Sequence, residues 1–262
     1  MRSTMNKNRE KLDIQELSYN KPYHWDLKRI DNYRYNKITG LLARTITSNI
    51  CSQGKVRIID FGCGDGKGAY LLWKKLRNEG LSPVIVGCDI SSKAVNWANS
   101  QLAEKKDGSL SFICGEIDEV LVGEGQEDRV PLILVMREVM EHLTEKHIGN
   151  VLQKLSKYDN NDNTWLLITV PTTNSPVEEK HYRHYNLELL NSTLIKNGFK
   201  QVACFGYGFR PRLLYKSLFF IKRILNSIPI IWRLMIPFWQ VSNPKHAVSL
   251  ICMGKVNSSD NE

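Results

Sequence analysis

The 262-residue chain predicts an α/β fold, a mainly parallel sheet with helices on both faces, and three observations carry that expectation. Short apolar runs alternate with segments of helical period from about Val56 to Phe205, the pattern that builds βαβ units. The first run ends in Asp60-Phe61-Gly62-Cys63-Gly64-Asp65-Gly66, a glycine-rich turn between a strand and a helix. A hydrophobic content of 42% beside 24% charged residues suits a globular chain with a sizeable core.

Taken in order, residues 1 to about 18 read as a polar tail. Tyr19-Asn20-Lys21-Pro22-Tyr23-His24-Trp25 is an aromatic cluster around a proline, which bars a regular helix interior. A helix follows from about Asp31 to Asn49, with Tyr35, Ile38, Leu41, Leu42 and Thr45 near one face. Val56–Phe61 reads as a strand, Ala69–Arg77 as a helix, Val84–Cys88 as a strand and Ser92–Ala103 as a helix. Leu110–Cys114 and Leu132–Met136 are strands, and Val139–Tyr158 is mostly helical. Trp165–Val170 is a strand stopped by Pro171. Asn186 is placed to cap a helix that ends at Gly198. Phe199–Phe205 and Ala247–Met253 complete the strands. Residues 207–244 break the rhythm with aromatic, basic and proline residues, and read as an insertion before the last strand. The expected division is an extension over 1–50, a core domain over 51–206 and 245–256, and this insertion.

The net charge of +9 favours anionic partners: nucleic acid, phosphorylated substrates or a lipid surface. The six cysteines form no CxxC pair. Their scatter argues against a zinc site or a disulfide framework, and for buried thiols in a reducing compartment. Met1–Asp13 has no apolar signal core, and no apolar run is long enough to span a bilayer. The cytoplasm is therefore the expected location, with membrane association through 207–244 as an added expectation.

Glycines after a first strand let a ligand approach the backbone, and the helix beyond offers free N–H groups. Such a turn alone fits several nucleotide-type ligands. Asp60 would repel a pyrophosphate and suits the hydrogen-bond donors of a cationic amino-acid ligand. Asp89 ends the second strand, where a carboxylate can accept both ribose hydroxyls of an adenosine. Glu116 follows the third strand, within reach of an adenine amino group.

This ordered set resembles the class I S-adenosylmethionine-dependent methyltransferases, whose first motif is acid-x-Gly-x-Gly-x-Gly. The resemblance implies a Rossmann-like seven-stranded sheet whose last strand is antiparallel. It implies that Gly62, Gly64 and Gly66 pass beneath the methionine part, with Asp60 and Cys63 in the same loop. Asp89 with Ile90 would hold the ribose, and Glu116 with Ile117 would flank the adenine. Arg34 resembles an arginine of the ubiquinone-biosynthesis O-methyltransferases that meets the cofactor carboxylate, and Arg137 is expected at the same site.

After the fourth strand comes Arg137-Glu138-Val139-Met140-Glu141-His142-Leu143. On a helix, Glu138, Glu141 and His142 would share one face and could bind a divalent cation; an acid pair favourable to the helix dipole is the alternative. The ExxEH segment resembles the ubiquinone group and the small-RNA 3′-terminal 2′-O-methyltransferases, in which these residues would ligate Mg²⁺ or a similar ion. In the RNA group a histidine after the fifth strand completes the set; His181 is the better positional match and His184 the alternative. Without metal, His142 or His181 is the candidate base, beside Glu141. The expected activity is O-methylation of a hydroxyl on a small-molecule, glycan or lipid-linked acceptor. RNA 2′-O-methylation is the second reading, and a non-catalytic S-adenosylmethionine-binding scaffold the third. The sequence leaves the oligomeric state open.

Overall fold

Gly54–Phe61 (β1) is buried along its last six residues, as a strand covered on both faces must be, and its near-continuous apolar run follows from that position. Ile58 packs in the core on one side and Ile59 in the core on the other, because successive side chains of a strand point to opposite faces. β1 pairs in parallel with Leu81–Asp89 (β2) on one side and Leu132–Arg137 (β4) on the other. The computed structural model describes residues 16–27, 29–103, 107–123, 130–158, 163–209 and 240–257.

The remaining strands are Leu110–Cys114 (β3), Thr164–Pro171 (β5), Phe199–Phe209 (β6), Val241–Ser242 (β7) and Ala247–Val256 (β8), and the sheet runs β3-β2-β1-β4-β5-β8-β6-β7. β1 to β5 are parallel, whereas β8 lies antiparallel to both β5 and β6. The expected reversal of the last strand is present. Among the described residues the sheet has eight strands against the expected seven, because two residues, Val241 and Ser242, pair with Tyr207 and Gly206. β6 also runs on to Phe209, past the expected start of the insertion at Tyr207. The rest of that segment up to residue 239 lies outside the described residues, as does most of the expected tail.

The helices are Arg29–Asn49 (α1), Lys67–Asn78 (α2), Ser92–Leu102 (α3), Ile117–Gly123 (α4), Glu145–Tyr158 (α5) and Leu187–Lys196 (α6). One core joins α1, α2 and α3 to the sheet through Leu42, Ile46, Leu72, Leu76 and Leu102. The opposite core joins α4, α5 and α6 through Val120, Leu152, Leu155, Leu190 and Leu194. Asn186 caps α6 by accepting the Leu189 N–H at 2.7 Å, and Gly198 follows the helix with φ 82°. Among the described residues no helix is long and apolar enough to cross a membrane.

The expectation of free thiols fails for two cysteines. Antiparallel register sets Cys204 opposite Cys252, their Cα atoms 4.1 Å apart, and the two are joined as a disulfide. Cysteines 48 residues apart look scattered along the chain, but the β6–β8 pairing brings them face to face.

Leu152 is fully buried against the sheet. Replacing it with alanine should lower the unfolding free energy by about 2–5 kcal/mol, read as a lower urea midpoint with an unchanged slope.

Candidate active site

The site forms at the carboxyl ends of β1, β2, β4 and β5. β1 lies between β2 and β4, so the chain leaves β1 toward one side and later crosses to the other, which opens a crevice at that point. The glycine-rich loop occupies it. Gly62 and Cys63 both donate to the Cys88 carbonyl, at 2.8 and 3.1 Å. Gly62, Gly64 and Gly66 have φ of 72°, 55° and 73°, a region that favours glycine. Space is as restrictive as conformation. A Cβ on Gly62 would meet the Val139 side chain at 2.6 Å, and one on Gly66 would meet Ala98 at 2.7 Å and the Phe112 ring at 2.9 Å.

Each expected cofactor residue has a definite environment. Asp60 is buried and pairs with Arg137 at 3.2 Å; Arg137 also donates to Thr39 Oγ1 at 3.1 Å and lies under the Tyr35 ring. Burial pushes the Asp60 carboxyl up, and the Arg137 charge and hydrogen bond oppose that shift. Asp89 accepts the N–H groups of Gly64 and Ser91, each at 2.9 Å; burial raises its carboxyl and these two bonds hold it down. Glu116 pairs with His147 at 3.1 Å. A depression of about 360 Å³ opens there, bounded by Glu116, Thr144, Lys146, His147, Asn150 and Lys154 among others. Ile90, 52% exposed at the end of β2, offers an apolar surface, whereas the Ile117 and Cys63 side chains are buried in the two cores and leave only their backbone for a ligand. Arg34 donates to Ser249 Oγ at 2.9 Å and lies 3.7 Å from Glu138, which puts its guanidinium beside the ExxEH segment.

The aromatic cluster is strapped over the glycine loop. The His24 backbone and ring both reach Asp65, at 2.6 and 3.0 Å, and Trp25 Nε1 donates to the Asp65 carbonyl at 3.0 Å. Lys67 Nζ donates to the His24 carbonyl and to Asn32 Oδ1, both at 2.8 Å. Tyr19 is buried, and its hydroxyl lies 2.7 Å from where a Gly64 Cβ would stand. In the sequence Tyr19 stood only as a member of the aromatic cluster and Asp65 only as a member of the glycine turn, and Lys67 was not singled out; nothing in the spacing marks their contacts, which span about forty residues.

The ExxEH segment departs from the expected helix. Glu138 has φ 54°, Met140–His142 form a single 3₁₀ turn, and α5 starts only at Glu145. The Glu138 N–H still bonds to the Thr169 carbonyl at 2.9 Å, as a strand residue would, so the turn begins after it. Its carboxylate accepts from Thr169 Oγ1 at 3.1 Å and faces Arg34. Glu138, Glu141 and His142 therefore do not share a helix face. Glu141, His142 and His181 do converge: one potential ligand atom from each lies within 4.8 Å of the others. Glu141 Oε2 and His142 Nδ1 are buried without a hydrogen-bond partner. Burial first, then the Glu138 charge, pushes the Glu141 carboxyl well up. Burial, then His181 and Lys180, lowers His142 to about 3, so its ring is neutral. Two orphaned, buried donor atoms beside a third are a set that suits a divalent ion or a hydrogen-bonding substrate. Val139, wedged against Gly62, brings this turn next to the glycine loop.

Residues 58–158 match a family model described as a methyltransferase domain. No curated protein matches the sequence. Among solved structures the chain is similar to the small-RNA methyltransferase HEN1, with 19% identity and a TM-score of 0.54, over 86% of this chain and 26% of that one. It is similar to the methyltransferase domain of bacterial CtHen1-C at 14% identity and a TM-score of 0.52, over 86% and 100% of the two chains. It is also similar to Haemonchus contortus phosphoethanolamine N-methyltransferase 2, solved with S-adenosyl-L-methionine, at 15% identity and a TM-score of 0.52, over 84% and 52%. The likenesses establish the fold. The family match places a methyltransferase domain over residues 58–158, which span the first four strands.

Gly68, in the first turn of α2, tests the Asp60–Arg137 pair. Its Cβ would lie 2.0 Å from the Arg137 guanidinium. Helix propensity alone would make Gly68→Ala stabilising by about 1 kcal/mol. The buried guanidinium cannot move without leaving Asp60, so the variant should instead lose stability in urea unfolding; a raised midpoint would contradict the role given to the pair.

Proposed function

We propose that this chain is an S-adenosylmethionine-dependent O-methyltransferase whose acceptor hydroxyl is bound beside Glu141, His142 and His181. The single observation that carries the reading is the pair of orphaned atoms, Glu141 Oε2 and His142 Nδ1, converging with His181 next to the glycine loop. The glycines fit the cofactor because their positive φ and their close packing against Val139, Tyr19, Ala98 and Phe112 leave a bare backbone in the loop for it to approach. Asp89 and Glu116 would face its ribose and adenine, and Ile90 the flat side of the base. When bound, S-adenosylmethionine supplies a methyl group on a sulfonium, an electrophile that needs an aligned nucleophile.

Glu141, His142 and His181, with Glu138 beside them, would hold Mg²⁺ or a similar ion, which lowers the pKa of a coordinated hydroxyl. Half-buried, neutral His142 suits that role better than the role of general base, since a base with so low a pKa takes a proton weakly. Glu138 is fixed by Thr169 and Arg34, and its left-handed backbone is a strain of about 1–3 kcal/mol of the kind found at functional sites. Arg34 would support the arrangement by neutralising Glu138, alongside the contact with a cofactor carboxylate expected of it. The strap of Tyr19 to Trp25 would exclude water from the reacting groups.

The acceptor is read as a hydroxyl of a small-molecule, glycan or lipid-linked compound. RNA 2′-O-methylation is the second reading, favoured by the net charge of +9 and by the fold likeness to HEN1. Labelled methyl transfer into the RNA, lipid and small-molecule fractions of a lysate separates these. Label confined to RNA would overturn the first reading, and label in no fraction would favour a cofactor-binding scaffold.

Two variants bear on the site. Asp89→Ala should weaken S-adenosylmethionine binding at least about tenfold by calorimetry, since it removes the carboxylate expected at the ribose. Glu141→Gln with His142→Ala should abolish stimulation by divalent ions and sensitivity to chelator; a double variant that keeps both would remove the metal from the mechanism.

A further inference from the structure

We infer that His184 is a positioning residue that sets the tautomer of His181 and so presents the His181 Nε2 lone pair to the Glu141–His142 site. The inference rests on the reading of Glu141, His142 and His181 as a cation-holding group. Its own basis is a directed chain of hydrogen bonds. His184 Nδ1 lies 3.0 Å from the Ser175 carbonyl oxygen, and His184 Nε2 lies 2.8 Å from His181 Nδ1.

A carbonyl oxygen can only accept. His184 Nδ1 must therefore carry the proton, and in a neutral imidazole that leaves Nε2 as an acceptor. The proton between the rings then belongs to His181 Nδ1, and the His181 lone pair is on Nε2. Which ring nitrogen binds a ligand is set by the hydrogen bond made by the other. His181 Nδ1 is committed to His184, so Nε2 is the atom it contributes to the group with Glu141 and His142.

Both rings are 8% exposed or less, so bulk water does not compete for these bonds. The start of the chain of bonds is equally fixed. Ser175 N–H donates to the Thr172 carbonyl at 3.0 Å, and Thr172 Oγ1 and Asn174 Nδ2 both donate to the Ala247 carbonyl at the start of β8. At the other end the Tyr182 N–H donates to the Glu141 carbonyl at 2.7 Å, which ties the histidine loop directly to the turn that carries Glu141 and His142. The register of β5 against β8 thus reaches the site through Ser175, His184 and His181.

The test uses the full chain and three proteins: wild type, His184→Gln and His184→Phe. Long-range ¹H–¹⁵N correlation on the metal-free protein reads the His181 tautomer, and Mn²⁺ titration followed by electron paramagnetic resonance reads cation affinity. Wild-type His181 should be protonated at Nδ1. Glutamine can accept from His181 and donate to Ser175, and should keep both the tautomer and the affinity. Phenylalanine can do neither; it should release His181 to the Nε2–H form and weaken Mn²⁺ binding about 10–100-fold. An Nε2–H tautomer in the wild type would overturn the inference even if the phenylalanine variant fails to fold, as would equal Mn²⁺ affinity in wild type and His184→Phe. A wild type that shows the Nδ1–H tautomer but binds no Mn²⁺ would uphold the role of His184 and sink the cation reading alone.

Discussion

Asp60 and Arg137 end neighbouring strands, and burying both charges there is tolerable only because each answers the other. Taking a carboxylate or a guanidinium out of water costs several kcal/mol, and a close partner with extra hydrogen bonds is needed to offset it. Arg137 obtains those bonds from Thr39 on α1 and lies against Tyr35 from the same helix. It also fills the space over Gly68, where α2 begins. One ion pair thereby locks β1, β4, α1 and α2 together at the rim of the crevice. The glycine loop starts immediately after Asp60 and the ExxEH segment immediately after Arg137, so both halves of the site hang from it.

The sheet and the glycine loop were legible in the sequence because they are local. A six-residue apolar run, glycines where φ must be positive, and an asparagine before an apolar helix each act within a few residues. What escaped was set by contacts between distant segments. The helix expected through Glu138–His142 has acceptable spacing, yet Thr169 on β5 captures the Glu138 N–H and defers helix formation to Glu145. Nothing near Cys204 announces Cys252, since only the antiparallel pairing of β6 and β8 sets them opposite. The contacts of Arg34 with Ser249 and Glu138 likewise join segments more than a hundred residues apart.

The candidate site is also layered in how its parts are held. Backbone geometry fixes the glycine loop, and side-chain contacts fix the strap above it. The histidine loop between these extremes is held by both: Tyr185 N–H bonds to the Pro171 carbonyl, while the His181 and His184 rings are hydrogen-bonded at 2.8 Å. That order explains why the acceptor chemistry is the least legible part of the chain. A loop whose meaning depends on which ring nitrogen carries a proton offers a sequence reader only the letters H and H.

The place of β8 has a consequence for how the chain is made. Residues 247–256 sit between β5 and β6, and among the described residues they are what joins β6 to the parallel strands. During synthesis β1 to β5 can assemble as they emerge, but the outer edge of β5 stays open until β8 has left the ribosome. β6, although made earlier, has to wait for its neighbour. An open strand edge invites pairing with other chains, so the interval in which residues 210–246 are translated is the period of greatest exposure to misassembly. Of the described strands, β8 emerges after both of the neighbours it has to join.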